Sequence, residues 1–418
     1  MKPEEKNQIL KARKNFAAIA ASYFMGLFND NFYKEAAVLL AVSQGKTKLQ
    51  AFAMGLFTIC YIMFTSQSGW FADKYPKRNV IIAAKLVELI AMIAGAIGIW
   101  FMYWPLILLM IGIMGAQSAL FSPAMNGVIP ELYPEWYVPK ANAIVKVIST
   151  IGIFAGMIIA GPVLDRTGSV MNIPASRFIV GILVLVAGII GLLTAFGAPK
   201  RKAGGTNEKF PMFGPINSVF EYLKTRKDPL LFMAINTNMI IWFIASLMTM
   251  LIVNLGKGQL NLTSTTTVIM KVMFMSGISV GGFISNIITK RFNWEKVVVK
   301  AVAGVGISLV LFLFCGFFPE SIRLYTMYAL IIVAGVSGGI CLIPITSFIQ
   351  IRPAPDRKGQ VIAASNFAIF IFMTFGAFCL YLLNDILRFL PSNSIGILGL
   401  VSLIASFFLM LGYKSVKE

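Results

Sequence analysis

Apolar residues fill twelve long blocks of this chain, near positions 16–42, 49–72, 79–102, 104–125, 141–164, 177–198, 229–254, 264–289, 297–318, 322–350, 359–387 and 393–413. A helix needs about 20 predominantly apolar residues to cross a bilayer. The pattern therefore predicts an all-α membrane protein with twelve transmembrane helices in two six-helix bundles. The widest polar break runs from Ala198 to Asp228 and contains PKRKAGGTNEK and YLKTRKD. It predicts an N-terminal bundle over 1–198, a cytoplasmic linker over 199–228 and a C-terminal bundle over 229–418. A short helix near Ile216 to Lys224 could lie on the membrane surface, though a solvated linker is the plainer reading. The length of the first block predicts a retained membrane helix rather than a signal peptide.

One block breaks its own pattern. Gly26 to Glu35 reads GLFNDNFYKE inside the apolar run from Phe16 to Val42. Asp30 and Lys34 stack at i,i+4, as do Asn31 and Glu35. A charge at the bilayer centre costs about 2.5–3.5 kcal/mol on the insertion scale. This face is expected to look into protein or a wet cavity, for substrate handling or for switching between states. An ion pair that only holds helices together is the alternative.

The two halves repeat weakly. GWFADKYPKR after the second block and GFISNIITKR after the eighth both follow Gly-x3-Asp/Asn-x4-Arg, through Gly69, Asp73 and Arg78 and through Gly282, Asn286 and Arg291. Pro123 and Pro344 fall in corresponding blocks. A six-plus-six duplication is a common plan of secondary transporters, with the substrate site near midplane.

Composition narrows the class. Apolar residues make up 58% and charged residues 13%, with 34 phenylalanines, which no soluble domain of this length requires. The formal charge of +19 suggests nucleic acid until the charges are placed. With the N-terminus inside, 25 Lys and Arg fall in cytoplasmic segments, 7 in external ones and 4 within blocks. That is the positive-inside pattern, and it implies contact with anionic membrane lipid rather than nucleic acid. Histidine is absent, which removes His-based metal sites and acid–base catalysis. Cys60, Cys315, Cys341 and Cys379 fall in apolar blocks at unrelated spacings and read as core residues. No metal, cofactor or catalytic site is expected.

GWFADKYPKR resembles the loop signature between the second and third helices of the major facilitator superfamily, with Pro76 where that signature usually has glycine. Within the superfamily, four stretches are similar to bacterial lysophospholipid transporters, including those fused to acyl-ACP-phospholipid acyltransferase. They are FNDN (Phe28 to Asn31), ADKYPKR (Ala72 to Arg78), GAQSALFSPAMNGVIPEL (Gly115 to Leu132) and ANA (Ala141 to Ala143). They cover most of the N-terminal half, and the C-terminal half matches only in layout. Met125 stands where those transporters usually have a lysine, so the head-group preference that the resemblance implies depends on that position.

The resemblance implies a carrier that moves lysophospholipid across or between leaflets of the bacterial inner membrane, with both termini cytoplasmic. It also implies a gating loop at Gly69, Asp73 and Arg78, and a separate acyltransferase that uses the delivered substrate. Asp73, at the C-terminal end of its helix, is expected to seek Arg78 or the N-terminus of a helix from the other half. The candidate substrate or coupling residues are Asp30, Asn31, Lys34, Glu35, Lys85, Glu88, Asn126 and Lys271. Lys85 and Glu88 are i,i+3 and could form an internal pair, or Lys85 could snorkel. Lys146 is expected to snorkel. Lys271, about 10 Å into its helix at about 1.5 Å per residue, is ranked above it as a contact for an anion. Asn236, Asn238 and Asn366 suit bonds between helices. GIFAGMIIAGP, from Gly152 to Pro162, is loosely similar to the fifth-helix signature of proton-driven drug exporters, and small residues there also serve helix packing. A proton-coupled exporter of drugs or other small amphipathic solutes is the rival function. A membrane acyltransferase is excluded, because its His-x4-Asp site needs a histidine.

Overall fold

The computed structural model describes residues 3–134, 137–201, 210–212, 214–353 and 358–416. Linker residues 202–209 and the side chains of Asn142, Ala143, Lys146 and Asn286 lie outside the described set. Eleven helices among the described residues are long and apolar enough to cross a membrane. The twelfth long helix is α1 (Pro3–Ser43), whose 41 residues reach about 60 Å at 1.5 Å per residue. Asn29, Asp30, Asn31, Lys34 and Glu35 dilute its apolar run. The chain divides into two compact units, one of Met1–Leu40 with Leu56–Pro215 and one of Ala41–Gly55 with Ile216–Glu418.

The first unit holds most of α1 and of α2 (Thr47–Lys74), followed by α3 (Lys77–Phe101), α4 (Trp104–Leu132), α5 (Val138–Leu164) and α6 (Ala175–Ala195). Helix α3 packs on both α4 and α6. Its core gathers Ile81, Ala84, Phe121, Ala124 and Val128. Two glycines let backbones approach. A Cβ on Gly115 of α4 would strike the Phe57 carbonyl of α2, and one on Gly156 of α5 would strike the Phe28 carbonyl of α1. Gly156 of the GIFAGMIIAGP stretch therefore serves helix packing.

Helix α4 runs past the expected end at residue 125, with Pro123 and Pro130 inside it. Proline removes one donor and crowds one turn, and in membrane helices the neighbouring packing tolerates that loss. Met125 is consequently a core residue, 1% exposed. Between α5 and α6 lies a small hairpin that the apolar pattern did not predict, β1 (Ser169–Val170) paired antiparallel with β2 (Ile173–Pro174). Its two turn residues, Met171 and Asn172, both have positive φ, as a tight two-residue hairpin requires.

The second unit contains most of the short α7 (Gly214–Lys224), then α8 (Pro229–Val253), α9 (Ser264–Ile288), α10 (Trp294–Val310), α11 (Glu320–Ile351), α12 (Lys358–Leu380) and α13 (Pro391–Ser415). Helices α9 and α11 cross through paired glycines four residues apart, Gly277 and Gly281 against Gly335 and Gly339. A Cβ on any of them would meet backbone of the facing helix, the small-xxx-small geometry of membrane helix pairs. The hydroxyl of Tyr222 on α7 donates to Asn236 Oδ1 at 2.7 Å, so Asn236 bonds between helices. Asn366 is exposed. All four cysteines are free.

Asp228 caps α8, accepting from the Leu231 backbone N–H at 3.2 Å and from Arg352 Nε at 2.7 Å. Burial pushes this carboxyl up, but the Arg352 hydrogen bond and charge, with the N–H groups of Leu231 and Leu230, outweigh it and hold its pKa below the usual value. Stability from a depressed carboxylate is present above the unfolded value of about 4 and is lost as pH falls through the lower folded value. Asp228→Ala should therefore lower stability at neutral pH by about 1 kcal/mol. It should also flatten the acid dependence of the thermal midpoint measured in detergent.

Candidate substrate site

The polar stretch of α1 divides its side chains between two faces. On one, Asn29 donates to the Val184 carbonyl of α6 at 3.2 Å and Tyr33 to the Gly95 carbonyl of α3 at 2.9 Å. Ser22, two turns earlier, donates to Gly191 of α6 at 2.8 Å. These bonds fix the rotation of α1 and turn Asp30, Asn31 and Lys34 toward a cavity of about 270 Å³ inside the first unit. Helix α2 adds Phe57 and Tyr61 to its lining, α3 adds Lys85, α4 adds Gln117, Ser118, Phe121 and Ser122, and α5 adds Ile153.

The charges form a connected network. Lys85 Nζ lies 2.6 Å from Glu88 Oε2, and both side chains are 1% exposed. Gln117 Nε2 donates to the same carboxylate oxygen at 2.9 Å. The Ser118 hydroxyl donates to Asp30 Oδ2 at 2.5 Å. Lys34 Nζ sits 3.8 Å above the centre of the Phe57 ring, and Lys85 Nζ 4.8 Å from that of Phe121, the arrangement of cation–π attraction. Lys85 reaches this position because α1 has no side chain at Gly26. A Cβ on Gly26 would collide with its ammonium, whereas one on Gly191 would only make ordinary contact with it.

Asp30 Oδ1 and Glu88 Oε1 are buried acceptors without a donor among the described residues. The cavity thus presents two ammonium groups, the Asp30 carboxylate and an aromatic wall, with Glu88 joined to it through Lys85 and Gln117. It can hold a group that carries both charges and an apolar part.

Of the expected site residues, Asp30, Asn31, Lys34 and Lys85 line the cavity, and Glu88 meets them only through its pair with Lys85. Lys85 does not snorkel, because Glu88 and the glycine notch hold it inside. Glu35 is buried, 3% exposed, but it does not line this cavity. Asn126 is exposed near the end of α4, and Lys271 lies on α9 in the other unit.

The loop residues also part company. Asp73 is exposed, and among the described residues it forms no ion pair with Arg78. Arg78 instead donates to the Ala198 and Phe196 carbonyls at 3.1 and 3.2 Å, capping the C-terminal end of α6. The preceding Lys77 pairs with Glu131 at 2.5 Å. A Cβ at Gly69 would meet open space. Gln117, Ser118, Tyr61 and Phe57 are missing from the expected set. The signal for the first two was a pair of polar residues inside apolar α4.

Residues 16–377 match the sequence model of the Major Facilitator Superfamily. The chain is similar to the "Lysophospholipid transporter LplT" of Photorhabdus laumondii, 26% identical over 345 residues, covering 81% of this chain and 80% of the relative. It is 25% identical over 357 residues to the protein of that name from an Enterobacter species, with 84% of each covered. Two solved structures share the fold. One is a bacterial homologue of the iron transporter ferroportin in an inward-facing state, with TM-score 0.70, 16% identity, and 96% of this chain and 98% of that one covered. The other is a bacterial homologue of the human lysosomal transporter Spinster, inward-facing and occupied, with TM-score 0.70, 11% identity and 96% of this chain covered. The chain belongs to the major facilitator superfamily.

Proposed function

We propose that this protein is a secondary transporter that moves lysophospholipid across or between leaflets of a bacterial inner membrane by alternating access, with both termini cytoplasmic. The observation that carries the reading is the cavity of the first unit, where Lys34 and Lys85 share one chamber with Asp30 and Glu88 pairs with Lys85 outside the lining. A phosphoethanolamine head group carries one anionic phosphate and one ammonium. The two lysines suit the phosphate. The Asp30 carboxylate, which lines the cavity and whose Oδ1 is a buried acceptor without a donor among the described residues, suits the ammonium. Phe57, Phe121 and Ile153 offer apolar wall to the glycerol and the start of the acyl chain. The names of the curated relatives support the same substrate class. A separate acyltransferase on the cytoplasmic face would consume what is delivered.

Reconstituted vesicles test this reading. Labelled lysophosphatidylethanolamine should enter protein-bearing vesicles saturably and faster than protein-free ones, measured with and without a proton gradient. Uptake at the protein-free rate, together with gradient-driven efflux of a cationic dye, would replace it with the drug-exporter reading.

A further inference from the structure

A second cleft, of about 560 Å³, opens in the first unit and is lined by Lys11, Lys200 and Arg201 with the amides of Asn7 and Asn15. Its described lining includes no carboxylate. Glu131, next to the lining residue Leu132, has its carboxylate held by Lys77 at 2.5 Å. The cations stand on a tethered segment. Asn15 Nδ2 donates to the Gly197 carbonyl at 2.7 Å, Arg78 holds the Ala198 and Phe196 carbonyls, and Arg201 Nη2 donates to the Glu131 carbonyl at 3.3 Å.

The depth of the cleft is set by its helices. Lys11 lies just outside the apolar run that starts at Phe16, Leu132 ends α4, and Lys200 and Arg201 follow the end of α6 at Ala195. This is where membrane spans meet the phosphate layer of a bilayer. Basic pockets at such ends suit anionic lipid head groups. Ala12 and Leu132 give the cleft an apolar floor, which a lipid can use and a free anion cannot. We propose that this cleft binds the phosphodiester head group of an anionic phospholipid of the surrounding leaflet. The site is separate from the substrate cavity and does not rest on the substrate assigned there.

The full-length protein in detergent can be titrated with short-chain phosphatidylglycerol, short-chain phosphatidylcholine or sodium phosphate, with adducts followed by native mass spectrometry and stability by thermal midpoint. Phosphatidylglycerol should form a retained adduct and raise the midpoint, and phosphatidylcholine should do neither. Lys11→Gln combined with Lys200→Gln and Arg201→Gln should weaken phosphatidylglycerol binding by about tenfold or more. Removing two cations beside α7, with Lys224→Gln and Lys227→Gln, should change it by less than about twofold. If the triple variant does not fold, Lys200→Gln alone carries the comparison and Lys200→Arg should bind as the parent does. Equal binding of the two lipids, or an equal loss in the α7 pair, would overturn the site. Displacement of phosphatidylglycerol by an equal concentration of sodium phosphate would make it a free-anion site and overturn the lipid assignment.

Discussion

Glu88→Ala should lower the stability of the folded protein by about 3–5 kcal/mol, the usual loss when one partner of a buried ion pair is removed. Lys85 would keep its charge at 1% exposure with its carboxylate gone. The Phe121 ring, 4.8 Å away, offers a cation only about 0.5–2 kcal/mol. Gln117 would lose its acceptor as well. Yield and thermal midpoint in detergent should both fall sharply. Replacing the pair with Lys85→Met and Glu88→Leu removes both charges at similar volume and should recover most of the midpoint, as apolar replacements of buried pairs do. Lysolipid uptake should stay lost in that double variant. Full uptake by it would make the pair a structural clamp and remove Lys85 and Glu88 from the substrate site.

Asp30→Asn should act in the opposite way, with stability nearly kept and transport reduced at least about tenfold, which corresponds to about 1.4 kcal/mol of transition-state stabilisation. An amide placed here can still accept from the Ser118 hydroxyl through its oxygen, so the bond seen at 2.5 Å has a successor. The charge that faces Lys34 and the cavity does not. Lys34→Gln should weaken lysolipid binding, and the Asp30→Asn, Lys34→Gln double should fold at least as well as either single without regaining uptake. Measuring expression, uptake and proton dependence across the three variants separates the two transport readings. A double variant that transports normally would reduce the α1 face to a helix-packing device. Loss of gradient-driven exchange with passive exchange intact, from Asp30→Asn alone, would favour the proton-coupled exporter.

The architecture was legible because membrane helices must be long, apolar and internally hydrogen-bonded, and the blocks satisfy the first two conditions openly. The polar centre of α1 was legible for the same reason, since Asp30 and Lys34 stand out against Phe16 to Val42. Which face of α1 meets which neighbour was not. Burying Lys85 beside Asp30 depends on Gly26 giving up side-chain volume at one point in space, and nothing along the chain links residues 26 and 85. Gln117 and Ser118 passed unmarked because neutral polar groups in membrane helices shift stability by well under the cost of a charge. Lys271, ranked for its depth within the second half, lies on α9 of the second unit and does not line the cavity of the first. The fourth apolar block ends at residue 125, whereas α4 continues to Leu132 with Pro123 and Pro130 inside it. The Asp73–Arg78 expectation weighed the helix dipole of α2 but not the open carbonyls at the end of α6, which satisfy Arg78.

The bonds that orient α1 also restrict how the site can move. Ser22 and Asn29 tie it to carbonyls of α6, and Tyr33 ties it to a carbonyl of α3. Turning α1 about its axis by one residue, about 100°, would break all three and leave the buried donors of Ser22, Asn29 and Tyr33 unpaired. Helix roll is therefore a poor gear for this carrier. The residues of α1, α3 and α6 must travel together, so a substrate held by Asp30, Lys34 and Lys85 would meet the same three-dimensional grip throughout a transport cycle, and its release would depend on which end of that grip is open to water.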